Sequence, residues 1–205
     1  MAIKPILFNT EMVRAILDGR KTCTRRIVRP PYFVDGDEND KRSLITLRTA
    51  TKNSSLYRQI GQMPYPDAPY RMCDILYVRE TWLDYAGRTM YRADCDKYRL
   101  ESLKLAEFSW HPSIHMPKEA ARIWLQVTDV RVERLQEMTG QDVLKEGLNS
   151  HVHPQASYFD GNQREMFEKL WNSTIKKSDL DRYGWDANPW VWVIEFERCE
   201  KPEGV

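Results

Sequence analysis

Gly19 divides the first thirty residues into two pieces of opposite character, and it fixes the angle at which the second leaves the first. Before it, Thr10 is an N-cap residue and Met12, Val13, Ile16 and Leu17 share one helical face. That pattern predicts a short amphipathic helix with Gly19 in the left-handed position that ends it. After it comes Arg-Lys-Thr-Cys-Thr-Arg-Arg-Ile-Val-Arg, residues 20 to 29, with five cations, two hydroxyls and no carboxylate. Its Thr, Cys, Ile and Val favour a strand. Arg20 and Lys21 also complement the negative end of the helix, so part of the run has a purely structural explanation.

With 41% hydrophobic and 30% charged residues, seven Trp and ten Tyr among them, the chain has the composition of a globular protein. No run approaches the roughly 18 apolar residues of a membrane span, and the N-terminus lacks a signal-peptide core, which reads as a soluble, cytoplasmic protein with no membrane partner. Cys23, Cys73, Cys95 and Cys199 are widely spaced and are read as reduced structural thiols. His111 and His115 have helical spacing, but Pro112 and Pro117 argue against a helix there, so no metal and no cofactor are expected. The net charge of +1 excludes a broadly basic nucleic-acid coat, yet residues 1 to 58 hold twelve Lys or Arg against six Asp or Glu. A local positive surface suited to a phosphate-bearing ligand follows.

Residues 31 to 69 are polar and rich in loop signals and are read as an insertion. Asp74 to Trp82 is predicted to be a strand with Leu76, Val78, Glu80 and Trp82 on one face. Glu80, among apolar neighbours, then needs a partner such as an arginine. Thr89 to Ala93 reads as a strand paired with residues 75 to 82 across Ala86-Gly87, residues 96 to 109 as a helix, and Trp110 to Pro117 as an extended loop. That loop carries Trp110 and His115, residue types that serve recognition, or else Trp110 simply covers an edge of the core. Ala121 to Arg131 is a further strand. Thr139 caps a helix that Gly147 closes, with Asp142 three residues after the cap and Glu146 in the last helical position. There the carboxylate faces the wrong end of the helix dipole. Asn162 is expected to cap an amphipathic helix bearing Met166, Phe167, Leu170, Trp171 and Ile175. Trp190 to Glu197 is the strand expected to close the sheet.

The order Gly19-Arg20-Lys21-Thr22-Cys23-Thr24-Arg25-Arg26, near the N-terminus and after a helix, resembles the signature of ASCH domains, small barrels related to the PUA fold. It looks most like the members that act as N4-acetylcytidine amidohydrolases, in the longer form met in bacteria and prophages. The resemblance implies an α+β fold, a PUA-like/ASCH β-barrel with flanking helices, here one domain over 1 to 205 with insertions near 31 to 69, 84 to 118 and 149 to 161. Cys73-Asp74 stands where those domains often have Gly-Asp. Matched to the family motif, Lys21, Thr24 and Glu146 are the catalytic candidates. Arg26, Arg79, Glu80, Trp110 and His115 are candidates for binding a nucleoside or modified base.

Amide hydrolysis needs a nucleophile, a base and a group that stabilises the oxyanion. Thr24 needs a base in reach. Lys21 can serve if burial and neighbouring arginines keep it neutral; if charged, it orients the carbonyl or steadies the oxyanion while Glu146 takes the proton of Thr24 or of a water. In a regular strand residues 21 and 24 face opposite ways, so the two converge only if Lys21 lies in the turn after Gly19 or a bulge intervenes. The alternative function is a module for RNA or single-stranded DNA, or a ribonuclease, using the same basic cleft with Trp82 and Trp110 stacking on bases.

Overall fold

The computed structural model describes residues 1–28, 68–148 and 160–204. Seven strands are described: β1 (Ile3–Leu7), β2 (Cys23–Ile27), β3 (Ile75–Arg79), β4 (Trp82–Tyr85), β5 (Arg88–Tyr91), β6 (Trp124–Arg134) and β7 (Trp190–Cys199). With them run helices α1 (Thr10–Leu17), α2 (Lys97–Leu105), α3 (Gly140–Lys145) and α4 (Asp160–Thr174). A mixed five-stranded sheet in the order β1-β3-β6-β7-β2, with helices on its faces, makes the chain α+β. Among the described strands of this sheet β1 and β3 pair in parallel and the other pairs are antiparallel. The insertions expected at 31 to 69 and 149 to 161, with His151 and His153, lie mostly or wholly outside the described residues.

β7 is buried on both faces from Trp190 to Ile194, and that rules it out as an edge. Instead of closing the sheet it sits inside it, between β6 and β2. Trp190, Trp192, Ile194 and Phe196 join Ile6, Phe8, Val13, Ile16, Leu76 and Val78 in the main core. Val191 and Val193 face the other way, with Cys23, into a second core built with Val143, Phe167 and Trp171 from α3 and α4. Each fully buried aliphatic or aromatic side chain is worth about 1.5–3 kcal/mol, so the two faces of β7 outweigh any single helix contact. β6 keeps Leu125, Val127, Val130 and Val132 on one core although their spacing breaks alternation, because a bulge between Val127 and Asp129 takes up the extra residue. The ends of the sheet, β1 and β2, are spanned by a side chain: Arg26 Nη2 donates to the Leu7 carbonyl at 2.9 Å.

Several boundaries differ from those expected. Asn9, not Thr10, caps α1: its side chain accepts the Met12 N–H at 2.9 Å from an extended backbone, and Thr10 is already helical. Asn162 lies inside α4, which begins at Asp160. The strand expected to run to Trp82 stops at Arg79, because Glu80 turns inward to Arg122 with bonds of 2.9 and 3.2 Å. The chain then resumes as β4, and it is β4 that pairs with β5. Ala86 and Gly87, at φ of 50° and 74°, form the primed turn such a two-residue hairpin needs. Among the described residues no helix is long and apolar enough to cross a membrane.

Candidate functional site

The end of α1 is wound tightly. Gly19 has φ of 74°, its N–H reaches the Ile16 carbonyl at 3.0 Å, and the N–H groups of Arg20 and Lys21 both reach Ala15 O, at 2.9 and 3.0 Å. Lys21 is therefore held in the turn, before β2 begins at Cys23, and the alternation that would separate it from Thr24 does not apply.

α3 arrives from the other side. Thr139 caps it through a reciprocal box with Asp142, and Glu146 is its C-cap residue, one place later than expected. The backbones of Lys21 and Glu146 form an antiparallel bridge, and Thr22 N–H donates to Lys145 O at 2.8 Å. Gly147, at φ of 90°, makes the approach possible: a Cβ there would lie 2.7 Å from Ala15 Cβ and 2.9 Å from Lys21 Cβ.

Into this junction Lys21 sends an ammonium that is 0% exposed. Its Nζ donates to Glu146 Oε2 at 2.6 Å, Cys23 O at 2.7 Å and Glu146 O at 3.0 Å, three acceptors for three N–H groups. The same nitrogen lies 5.5 Å from the centre of the Phe8 ring, and Arg26 Cζ is 5.6 Å from that ring. Thr24 is buried and pairs with Ile194, on the face that carries the main core. The bond from Lys21 to Cys23 O puts the ammonium beside the peptide that leads into Thr24. None of the three Lys21 donors goes to the Thr24 hydroxyl.

Arg25, not among the binding candidates, is part of the same cluster. Its Nη1 donates to Glu146 Oε1 at 3.2 Å, and Nη2 lies 3.7 Å from Glu133 and 3.9 Å from Asp142. Nε and Nη2 are buried without a hydrogen-bond partner among the described residues. The signal for it was in the sequence: Arg25 falls on the face of β2 shared by Cys23 and Ile27, where an apolar environment demands a carboxylate. Burial raises the Asp142 carboxyl, but bonds from Thr139 and the charge of Arg25 outweigh it and hold the group below its usual range. Cys23 is pushed up to about 12 by burial and then by Glu146, so its thiol stays protonated and is a poor nucleophile.

Of the expected binding residues, Arg26 shares the Phe8 ring with Lys21 while its Nη2 donates to Leu7 O, and Arg79, Glu80 and Trp110 are engaged elsewhere. Arg79 donates to Ile114 O at 3.1 Å, and its neighbour Tyr77 packs in a third core with Met116 and Trp124. Glu80 is tied to Arg122, the arginine type its position called for, and burial raises its carboxyl more than that arginine lowers it. His115 is exposed at the end of a short 3-10 turn. Trp110 packs beside Leu83, Cys95 and Leu103. Among the described residues no group of three His, Cys, Asp or Glu is placed to hold a metal.

No family model matches the chain, and no curated protein is significantly similar to it. Among solved structures it is similar to an ASCH domain from Lactobacillus crispatus JV V101, at 9% identity over 96% of this chain and 79% of that one, with a TM-score of 0.37.

Proposed function

We propose that the chain hydrolyses the amide of N4-acylated cytosine nucleosides or related modified bases, with Lys21, Thr24 and Glu146 as the catalytic set. The observation that carries this reading is the buried Lys21–Glu146 pair, joined at 2.6 Å beside the peptide of Thr24. Three acceptors around Nζ suit the ammonium form, so Lys21 is assigned to the acyl oxygen rather than to proton abstraction. Lys21, Thr24 and Glu146 are all buried, so substrate binding must open the junction, and Lys21 then gives one of its backbone acceptors over to the substrate carbonyl.

Thr24 Oγ attacks the acyl carbon and its proton passes to Glu146. The cytosine N4 leaves with a proton, and water cleaves the Thr24 ester to release the acid. Arg25 holds the second Glu146 oxygen and keeps that carboxylate oriented toward Lys21. Arg26, across the Phe8 ring, supplies a cation on the same face for the substrate.

Release of cytidine from N4-acetylcytidine by the purified chain tests the reading. Turnover is expected, with a loss of at least about a hundredfold in each of Lys21→Ala, Thr24→Ala and Glu146→Ala. Absence of turnover on N4-acetylcytidine and on other N-acylated bases, with wild-type protein folded, would sink it.

A further inference from the structure

Helix α2 turns an unusual face toward α1. Lys97, Leu100, Glu101 and Lys104 fall at i, i+3, i+4 and i+7, the stripe that a packed helix fills with apolar residues. Here the stripe lines an open cleft of about 680 Å³, within the range of roughly 300–1,000 Å³ usual for small-ligand sites. Arg14 and Arg92 face it from α1 and the turn after β5, and Phe108 and Trp110 form its aromatic part.

The cations there are not all committed to the fold. Arg14 is: it donates to Ala93 O, Glu11 and Cys95 O, each at 2.9 Å, and so acts as wall. Arg92, Lys97 and Lys104 make no ion pair and no side-chain hydrogen bond among the described residues. Of the two lining carboxylates, Asp96 is occupied as the N-cap of α2, accepting the Arg99 N–H at 2.7 Å. Glu101 is left to accept from a hydroxyl or amino group. Phe108 is 40% exposed and Trp110 is half-buried, so both present ring surface. Cations that lack partners favour an anion, exposed rings favour a flat aromatic, and together they describe a phosphate joined to a base.

We propose that this cleft binds a 5′-phosphorylated nucleotide, its phosphate on Lys97, Lys104 and Arg92 and its base against Trp110 and Phe108. The site is separate from the Lys21 cluster. Arg14 lines the cleft, while Ala15, about 100° further round α1, packs against Gly147 and Lys21. The proposal stands whether or not the hydrolase reading does.

The full chain is titrated with adenosine monophosphate, adenosine and inorganic phosphate by calorimetry and tryptophan fluorescence. The nucleotide is expected to bind at least about tenfold more tightly than either part alone. Lys97→Ala/Lys104→Ala, both at exposed positions, and Trp110→Leu are each expected to weaken it about tenfold, with Lys21→Ala unchanged and far-UV circular dichroism showing every variant folded. A 5′-phosphorylated oligonucleotide run in parallel tells a free nucleotide from a strand end as the source. Phosphate binding as tightly as the nucleotide, affinity unchanged in the double lysine variant, affinity lost in Lys21→Ala, or no binding of nucleotide or oligonucleotide would each overturn the assignment.

Discussion

Lys21 and Glu146 meet twice, by an antiparallel backbone bridge and by an ion pair of 2.6 Å between side chains 0% and 5% exposed. The bridge fixes the geometry and the ion pair meets the cost of burying it. Removing one member of such a pair strands a buried charge, which typically costs about 3–5 kcal/mol, while replacing both with apolar groups costs far less. Glu146→Ala is therefore expected to lower the unfolding free energy by about 3–5 kcal/mol, because Lys21 and Arg25 lose their shared acceptor at once. The double variant Lys21→Met/Glu146→Leu is expected to be no less stable than Glu146→Ala. Urea denaturation of the three proteins measures both values, and a single variant with wild-type stability would contradict the burial of the pair.

Gly19 and Gly147 both adopt left-handed backbone, at φ of 74° and 90°, but only Gly147 has neighbours where a Cβ would go. Gly19→Ala meets open space and is expected to cost about 1–2 kcal/mol, the penalty of the conformation alone. Gly147→Ala adds a clash with Ala15 and Lys21 Cβ atoms, neither of which can swing aside, and is expected to cost clearly more. It should also reduce any activity of the Lys21 cluster beyond its effect on stability. Equal losses in the two variants, read from thermal and chemical unfolding, would show that the junction has room to relax.

What could be read from the sequence here follows the range of the interactions. The Gly19 stop, the Thr139 and Asp142 box and the Gly147 close depend on residues within a turn or two, and all three appear where the spacing placed them. Glu80 announced by its burial that it wanted an arginine, but Arg122 lies 42 residues away and spacing could not name it. Nothing local relates Lys21 to Glu146, 125 residues on; that pairing came from family likeness. The apolar run of β7 showed burial on both faces, which already argued for an interior strand and against the closing position expected for it. Arg25 lies on the opposite face of β2 from Thr24, so the motif that points to Lys21 and Thr24 does not point to it.

Asp74 shows how the acid limb of stability should behave. Its side chain, 4% exposed, accepts from Ala2 N and Lys4 Nζ at 2.8 Å and from Arg71 N at 3.0 Å. Burial raises the carboxyl, but these donors outweigh it and hold the group below its ordinary 3.8. A depressed folded value means the unfolded chain binds the proton first as pH falls. The Asp74 contribution is thus complete above pH 3.8 and is lost as pH drops through the lower folded value. Asp74→Asn is expected to be less stable than wild type by about 1–3 kcal/mol near neutrality, with the gap narrowing below that pH. Denaturation midpoints at several pH values check the sign, and a gap that widens in acid would reverse it.

The thiols should separate cleanly by reactivity. Cys73 is exposed, in a turn at φ of 66°, whereas Cys23 is buried and its thiol is pushed up to about 12 by burial and Glu146. Alkylation proceeds through the thiolate and needs access, and Cys23 has neither at mild pH. Cys95 and Cys199 are also raised by burial, Cys199 with more exposure than Cys95. Iodoacetamide at about pH 8, close to an ordinary thiol value, is expected to modify Cys73 first and to leave Cys23 intact until denaturant is added. In Glu146→Ala the junction loses the carboxylate that helps raise Cys23, and Arg25 and Lys21 remain to lower it, so labelling of Cys23 should accelerate. Mass spectrometry of the timed digest gives the order directly, and early labelling of Cys23 in native wild-type protein would mean that the Lys21–Glu146 junction is open to solvent.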